Sequence, residues 1–106
     1  MPESADSDYE VEMTHACEDM FKKLSSREQE AVDKKILEIQ KDPSCGDYFS
    51  GVELKGVLHT HVLGRSSDCL VAWSKQEKPK KKITIESVGS HDNIERLKRL
   101  RRNYIL

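Results

Sequence analysis

The chain has 106 residues, 36% of them hydrophobic and 35% charged, with a formal net charge of −1. That length supports one modest hydrophobic core and excludes two. No run approaches the roughly 20 apolar residues of a membrane span, and the acidic start MPESADSDYE is not a signal peptide. A cytoplasmic protein is therefore expected. The near-neutral charge conceals an asymmetry: residues 1–54 carry 14 Asp/Glu against 6 Lys/Arg, whereas residues 55–106 carry 5 against 12. One face for a polyanion and another that repels it would give this split, and so would solvated charges on scattered faces. Cys17, Cys45 and Cys69 form no CxxC pair, so neither a disulfide framework nor a zinc knuckle is expected. Cys69, within CLVAW, reads as a small buried hydrophobe.

Residues 1–8 are polar and acidic and are expected to be disordered, leaving 9–106 as one domain. Tyr9, Val11 and Met13 alternate with Glu10 and Glu12, the pattern of a half-buried strand. Thr14 is placed to cap a helix with Ala16, Met20, Phe21 and Leu24 as its inner stripe, and with Glu18 and Asp19 near its positive end. Ser25 and Glu28 have capping-box spacing. They open a second helix that turns Val32, Ile36 and Ile39 inward and stops before Pro43. The short joint at Ser25 predicts an antiparallel helical hairpin. The segment PSCGDYFSG, rich in turn formers, predicts a loop.

Residues 57–63 predict a strand with His59 and His61 on one side and Leu58, Thr60 and Val62 on the other. The apolar side is expected to pack on the helices and leave the histidines on an open face. Residues 68–74 are nearly all apolar and predict a central strand. EKPKKK forms the next turn, Ile83 and Ile85 anchor the last strand, and Gly89 ends it. Ser90 or Asp92 can cap a final helix that buries Ile94, Leu97 and Leu100 and exposes Arg96, Lys98, Arg99, Arg101 and Arg102. The order β-α-α-β-β-β-α predicts an α+β fold: a small twisted, mainly antiparallel four-stranded sheet, its helices on one face and its other face wet.

These elements, with LKG at 54–56, the hairpin THVLGRSSDCLVAWS and the closing ITIESVGSHD, together resemble the RelE/ParE toxin superfamily. The ending Gly89-Ser90-His91-Asp92 is similar to the GTH/GSH signature of the YafQ-like branch. The likeness covers about residues 9 to 95. It implies the toxin of a type II toxin–antitoxin pair, cutting mRNA in the ribosomal decoding site with the RNA 2′-hydroxyl as nucleophile. It implies no metal or other cofactor, and a cognate antitoxin as the silencing partner. Carried over by position, it makes His61, Asp68 and His91 site residues, with Lys55 as a basic or polar one. Relatives often carry an aromatic residue shortly after the signature histidine, where this chain has Glu95; the basic last helix with Tyr104 can replace that contact or cover the site. The alternatives are a ParE-type toxin that inhibits DNA gyrase without nuclease activity, or an inactive RelE-like binding protein. The set His61, Asp68 and His91 favours cleavage.

Such cleavage needs a base for the 2′-hydroxyl, cations for the charged phosphorane and an acid for the leaving 5′-oxygen. Imidazole titrates near neutrality and suits either proton task. The expected roles are His91 as general acid and His61, with Asp68, as base; the two histidines can exchange roles. His59 is a second candidate on the same strand face. Lys55 and Arg65 are the expected phosphate clamps, with Lys81 and Arg99 as further RNA-binding candidates. Plainer readings stand beside these. His59 and His61 can be ordinary strand residues, or a His-x-His metal pair completed by Asp68 or His91. His91 can belong to a helix cap, Asp68 to a turn, and the lysine run to a solvated hairpin tip.

Overall fold

The computed structural model describes residues 9–64 and 68–105, the side chains of 103–105 excepted. The expectations for residues 1–8, for Arg65 and for the Tyr104 side chain lie outside the described residues. Alternating Val11 and Met13 with two glutamates gives β1 (Glu10–Met13). Thr14 then starts α1 (His15–Lys22), its hydroxyl accepting from the Cys17 backbone N–H at 3.1 Å. The capping box forms at the head of α2 (Ser26–Lys41): Glu28 Oε1 accepts from Ser25 N–H at 3.0 Å, and Ser25 Oγ accepts from Glu28 N–H at 3.2 Å. The helix closes before Pro43, where the preceding residue is pushed out of helical geometry. Then come β2 (Asp47–Tyr48), β3 (Val57–His61), β4 (Leu70–Gln76), β5 (Lys82–Gly89) and α3 (His91–Ile105).

The α+β class expected from the sequence is the one observed. The sheet has five strands in the order β1-β5-β4-β3-β2, with β1 parallel to β5 and the other neighbours antiparallel. The fifth strand is β2, which pairs Asp47 with His59 and Tyr48 with Leu58 inside the expected loop. Two residues are too few to leave an alternation in the sequence.

Helices cover both sheet faces, which corrects the one-sided arrangement. On one face Cys17 and Met20 of α1 and Val32 and Ile39 of α2 close over Leu58, Val71, Trp73, Ile83 and Ile85. On the other, Ile94 and Leu97 of α3 close with Leu54 and Phe49 over Val57, Leu70 and Ala72. Strand β4 is the hinge of this arrangement, because its first four residues are buried whichever way they point. A continuous apolar strand of that kind is what burial on both faces requires. Gly46 lets Trp73 into the core: a Cβ there would lie 2.5 Å from the indole Cη2 and 2.6 Å from the His59 carbonyl. The Trp73 indole N–H donates to the Pro43 carbonyl at 2.9 Å, so the ring is buried without an orphaned donor.

The charged halves of the sequence do not separate into two faces. Glu10 pairs with Lys80 at 2.9 Å, Glu12 with Lys82 at 3.1 Å and Glu53 with Arg102 at 3.1 Å, each an acid of the first half on a base of the second. None of the three cysteines is in a disulfide; Cys17 and Cys69 are buried and Cys45 is exposed. Burial pushes the Cys17 thiol up to about 12. Among the described residues no helix is long and apolar enough to cross a membrane.

Candidate functional site

Three strand ends meet at one end of the sheet. His61 closes β3 opposite Leu70, the first residue of β4, and Leu70 in turn faces Gly89, the last residue of β5. Asp68 lies two residues before Leu70 and His91 two residues after Gly89, so the register of the two hairpins draws the three side chains to one place. Gly89 sets the exit. Its φ of +110° lies in the left-handed region, and a Cβ would come within 2.6 Å of Asn93 Nδ2, the amide that donates to the Val88 carbonyl at 2.8 Å. The chain therefore turns sharply from β5 into α3, with His91 as the first helical residue.

His91 Nδ1 and Asp68 Oδ1 are 2.5 Å apart, with the side chains 66% and 64% exposed. The hydrogen bond with His91 holds the Asp68 carboxyl below the usual aspartate range, and the imidazole of His61 adds to the effect. With Nδ1 committed to the carboxylate, Nε2 is the ring nitrogen left for proton exchange. Sequence reasoning assigned Asp68 to His61; the structure pairs it with His91, because the sharp turn at Gly89 brings the helix start over the β4 entry.

His59 is not on an open face. Its ring stacks on Phe49 with centroids 3.9 Å apart and planes at 17°, and its Nδ1 is buried with no hydrogen-bond partner among the described residues. Burial, above all, lowers its pKa, against the opposing pull of the Asp47 backbone. The segment carrying Phe49 and Leu54, with α3 beyond it, covers that part of the sheet, a cover that strand alternation cannot reveal. The His-x-His pair thus has only one imidazole near the surface site. Among the described residues no three His, Cys, Asp or Glu side chains are grouped to hold a metal ion.

The other cationic candidates lie elsewhere. Lys55 is exposed ahead of β3, with the length of that strand between it and His61. Lys81 adjoins the Gln76–Lys82 end of the β4–β5 ribbon, opposite to the Leu70–Gly89 end, and its ammonium lies 5.5 Å from the Tyr9 ring centroid. Arg99 is exposed on α3, about 12 Å along the axis from His91 at 1.5 Å per residue, and on the side opposite Ile94 and Leu97. Arg65 is outside the described residues.

Beside Asp68 opens a cleft of about 370 Å³, between the joint of α1 and α2 and the first turns of α3. Met20 and Leu24 supply its apolar part; Lys23, Glu28, Asp68 and Arg96 supply its charges. Sequence reasoning missed Lys23 and Arg96 as neighbours of the site. Arg96 was visible as a polar-face residue five positions after His91, but nothing in the sequence signalled Lys23, whose position depends on how α1 packs.

Solved structures share this architecture. A double mutant of the E. coli toxin RelE in its free state matches with a TM-score of 0.72 at 19% identity, covering 93% of this chain and 99% of that one. The same mutant toxin bound to an antitoxin RelB peptide matches at 0.67 and 20%, covering 78% and 83%. The RelBE2 toxin–antitoxin complex of Mycobacterium tuberculosis matches at 0.65 and 19%, covering 78% and 98%. At such identities the likeness establishes a RelE-like fold. The family model for the ParE-like toxin of type II bacterial toxin–antitoxin systems matches residues 11–98, and the chain belongs to this family. No curated protein sequence matches significantly.

Proposed function

We propose that this toxin is a metal-independent endoribonuclease of the YafQ-like kind, cutting mRNA in the decoding site of the ribosome and so arresting translation. The observation that carries the reading is the solvent-open Asp68–His91 pair, set at the strand ends beside a cleft. In this reading Asp68 accepts the Nδ1–H of His91 and fixes its tautomer, leaving Nε2 to carry the proton. His61, close enough to help hold the Asp68 carboxyl below its usual range, supplies the second imidazole. The RNA 2′-hydroxyl loses its proton to His61 as its oxygen attacks the adjacent phosphorus. The P–O5′ bond breaks, and the departing 5′-oxygen takes a proton from His91. The products are a 2′,3′-cyclic phosphate and a 5′-hydroxyl, with no redox change and no metal step. A cognate antitoxin is the expected restraint, as two of the similar structures are toxins bound to their antitoxins.

The family's description as ParE-like favours a second reading, inhibition of DNA gyrase by binding. Toeprinting of translating mRNA, run beside a gyrase supercoiling assay, separates the two. The nuclease reading expects new 5′ ends at the ribosome position, absent when ribosomes are omitted, and undisturbed supercoiling. Intact mRNA with blocked supercoiling would replace it with the gyrase reading.

A further inference from the structure

The cleft beside Asp68 is charged on both sides, and the state of those charges decides what it can hold. Its two carboxylates are already committed: Glu28 caps α2 through the Ser25 backbone N–H, and Asp68 holds His91. Its two cations are not, because neither the Lys23 ammonium nor the Arg96 guanidinium makes an ion pair or hydrogen bond among the described residues. Along α3, Lys98 is paired with Glu95, Arg101 with Glu86 and Arg102 with Glu53. Arg96 and Arg99 make no ion pair among the described residues, and of these two Arg96 lines the cleft.

We propose that Arg96 and Lys23 together seat a phosphate of the RNA strand next to the one being cleaved, with a nucleotide base lying over Met20 and Leu24. This deepens the nuclease reading and rests on it. The chemistry fits on three counts. A guanidinium presents a planar fork to phosphate oxygens, and an ammonium opposite it adds a point charge. A volume of about 370 Å³ is within the range of small-molecule sites. Asp68 lines this cleft and hydrogen-bonds His91, so the cleft adjoins the partner of the proton-carrying imidazole. Arg96 is a positioning residue in this scheme: it touches substrate away from the reacting atoms and fixes the register of the strand.

The test is single-turnover cleavage of ribosome-bound mRNA by wild type, Arg96→Ala, Arg96→Lys and, as a surface-charge control, Lys41→Ala. Direct binding of a single-stranded RNA oligonucleotide is measured across a salt series with the same proteins. Arg96 is exposed and makes no ion pair or hydrogen bond among the described residues, so its loss leaves folding intact. The expected result for Arg96→Ala is about tenfold weaker half-saturation with the maximal rate within twofold. Its salt slope should be shallower by about 0.7, the value for one lost contact to a single strand. Arg96→Lys should recover part of the affinity and Lys41→Ala none of the defect. Wild-type cleavage with Arg96→Ala indistinguishable from it would overturn the phosphate seat and leave the nuclease reading standing. Wild type that cuts nothing would overturn both.

Discussion

Asp68 and His91 are each unremarkable alone, a turn residue and the first residue of a helix. Their chemistry comes from being held together in the open. Hydrogen bonding to the imidazole favours the charged carboxylate, so Asp68 titrates below an ordinary aspartate. Because its folded pKa is depressed, the pair adds stability above the ordinary aspartate value and loses it as pH falls through the lowered one. Both groups face water, so that contribution to folding is small. The site itself reads the shift more clearly. Carboxyl-carbon NMR should give Asp68 a midpoint below the usual range in wild type and within it in His91→Ala; the same midpoint in both proteins would remove the pairing. Asp68, His61 and His91 entered as candidates through the family resemblance, which carries them over by position; the register of the two hairpins then sets them at neighbouring strand ends. The cover over His59 was not legible in the sequence, since alternation assigns a side chain to a face without saying what lies on that face.

At the scale of elements, α3 is what changes the sheet from open to covered. Its grip depends on Arg101, which donates to the Glu53 carbonyl at 2.7 Å, to Glu86 Oε1 at 3.0 Å and to the Lys55 carbonyl at 3.4 Å. Glu86 is available for this because the ladder slips between Ala72 and Trp73, leaving it as the extra residue of β5. Charged donors of this kind contribute about 1.5–3 kcal/mol each at most. Arg101→Ala should therefore speed amide exchange at residues 94–97 by about tenfold or more, with β4 and β5 unchanged. Unaltered exchange in α3 would mean that Ile94 and Leu97 hold the helix alone. The sequence did signal this cover in part. Val71 and Trp73 point one way and Leu70 and Ala72 the other, and a strand apolar on both sides needs something over each. The helices of the first half supply one cover, and only α3 remained for the second. Strand β2 left no comparable trace, because its pairing depends on Gly46 allowing Trp73 close beneath it rather than on any pattern of its own.

For the whole molecule, cross-pairing of the acidic and basic halves matters more than their totals. Glu10, Glu12 and Glu53 take up Lys80, Lys82 and Arg102, exposed or half-exposed pairs each worth roughly 0–1 kcal/mol. Their main consequence is that the lysine-rich turn is partly neutralised. Among the described residues, Arg96 and Lys23 bring cations without an ion pair beside the His91–Asp68 pair, the proton carrier of the proposed reaction. Counting charges by sequence half could not find this place, because pairing is a property of the folded register. The central claim is that the His91 imidazole, oriented by Asp68, moves the proton in mRNA cleavage. Single-turnover cleavage of ribosome-bound mRNA by His91→Ala, at saturating toxin, tests it most directly. The expected rate is lower than wild type by about 10²–10⁴, the usual contribution of one acid–base group, with ribosome binding retained. Cleavage at the wild-type rate would contradict the claim.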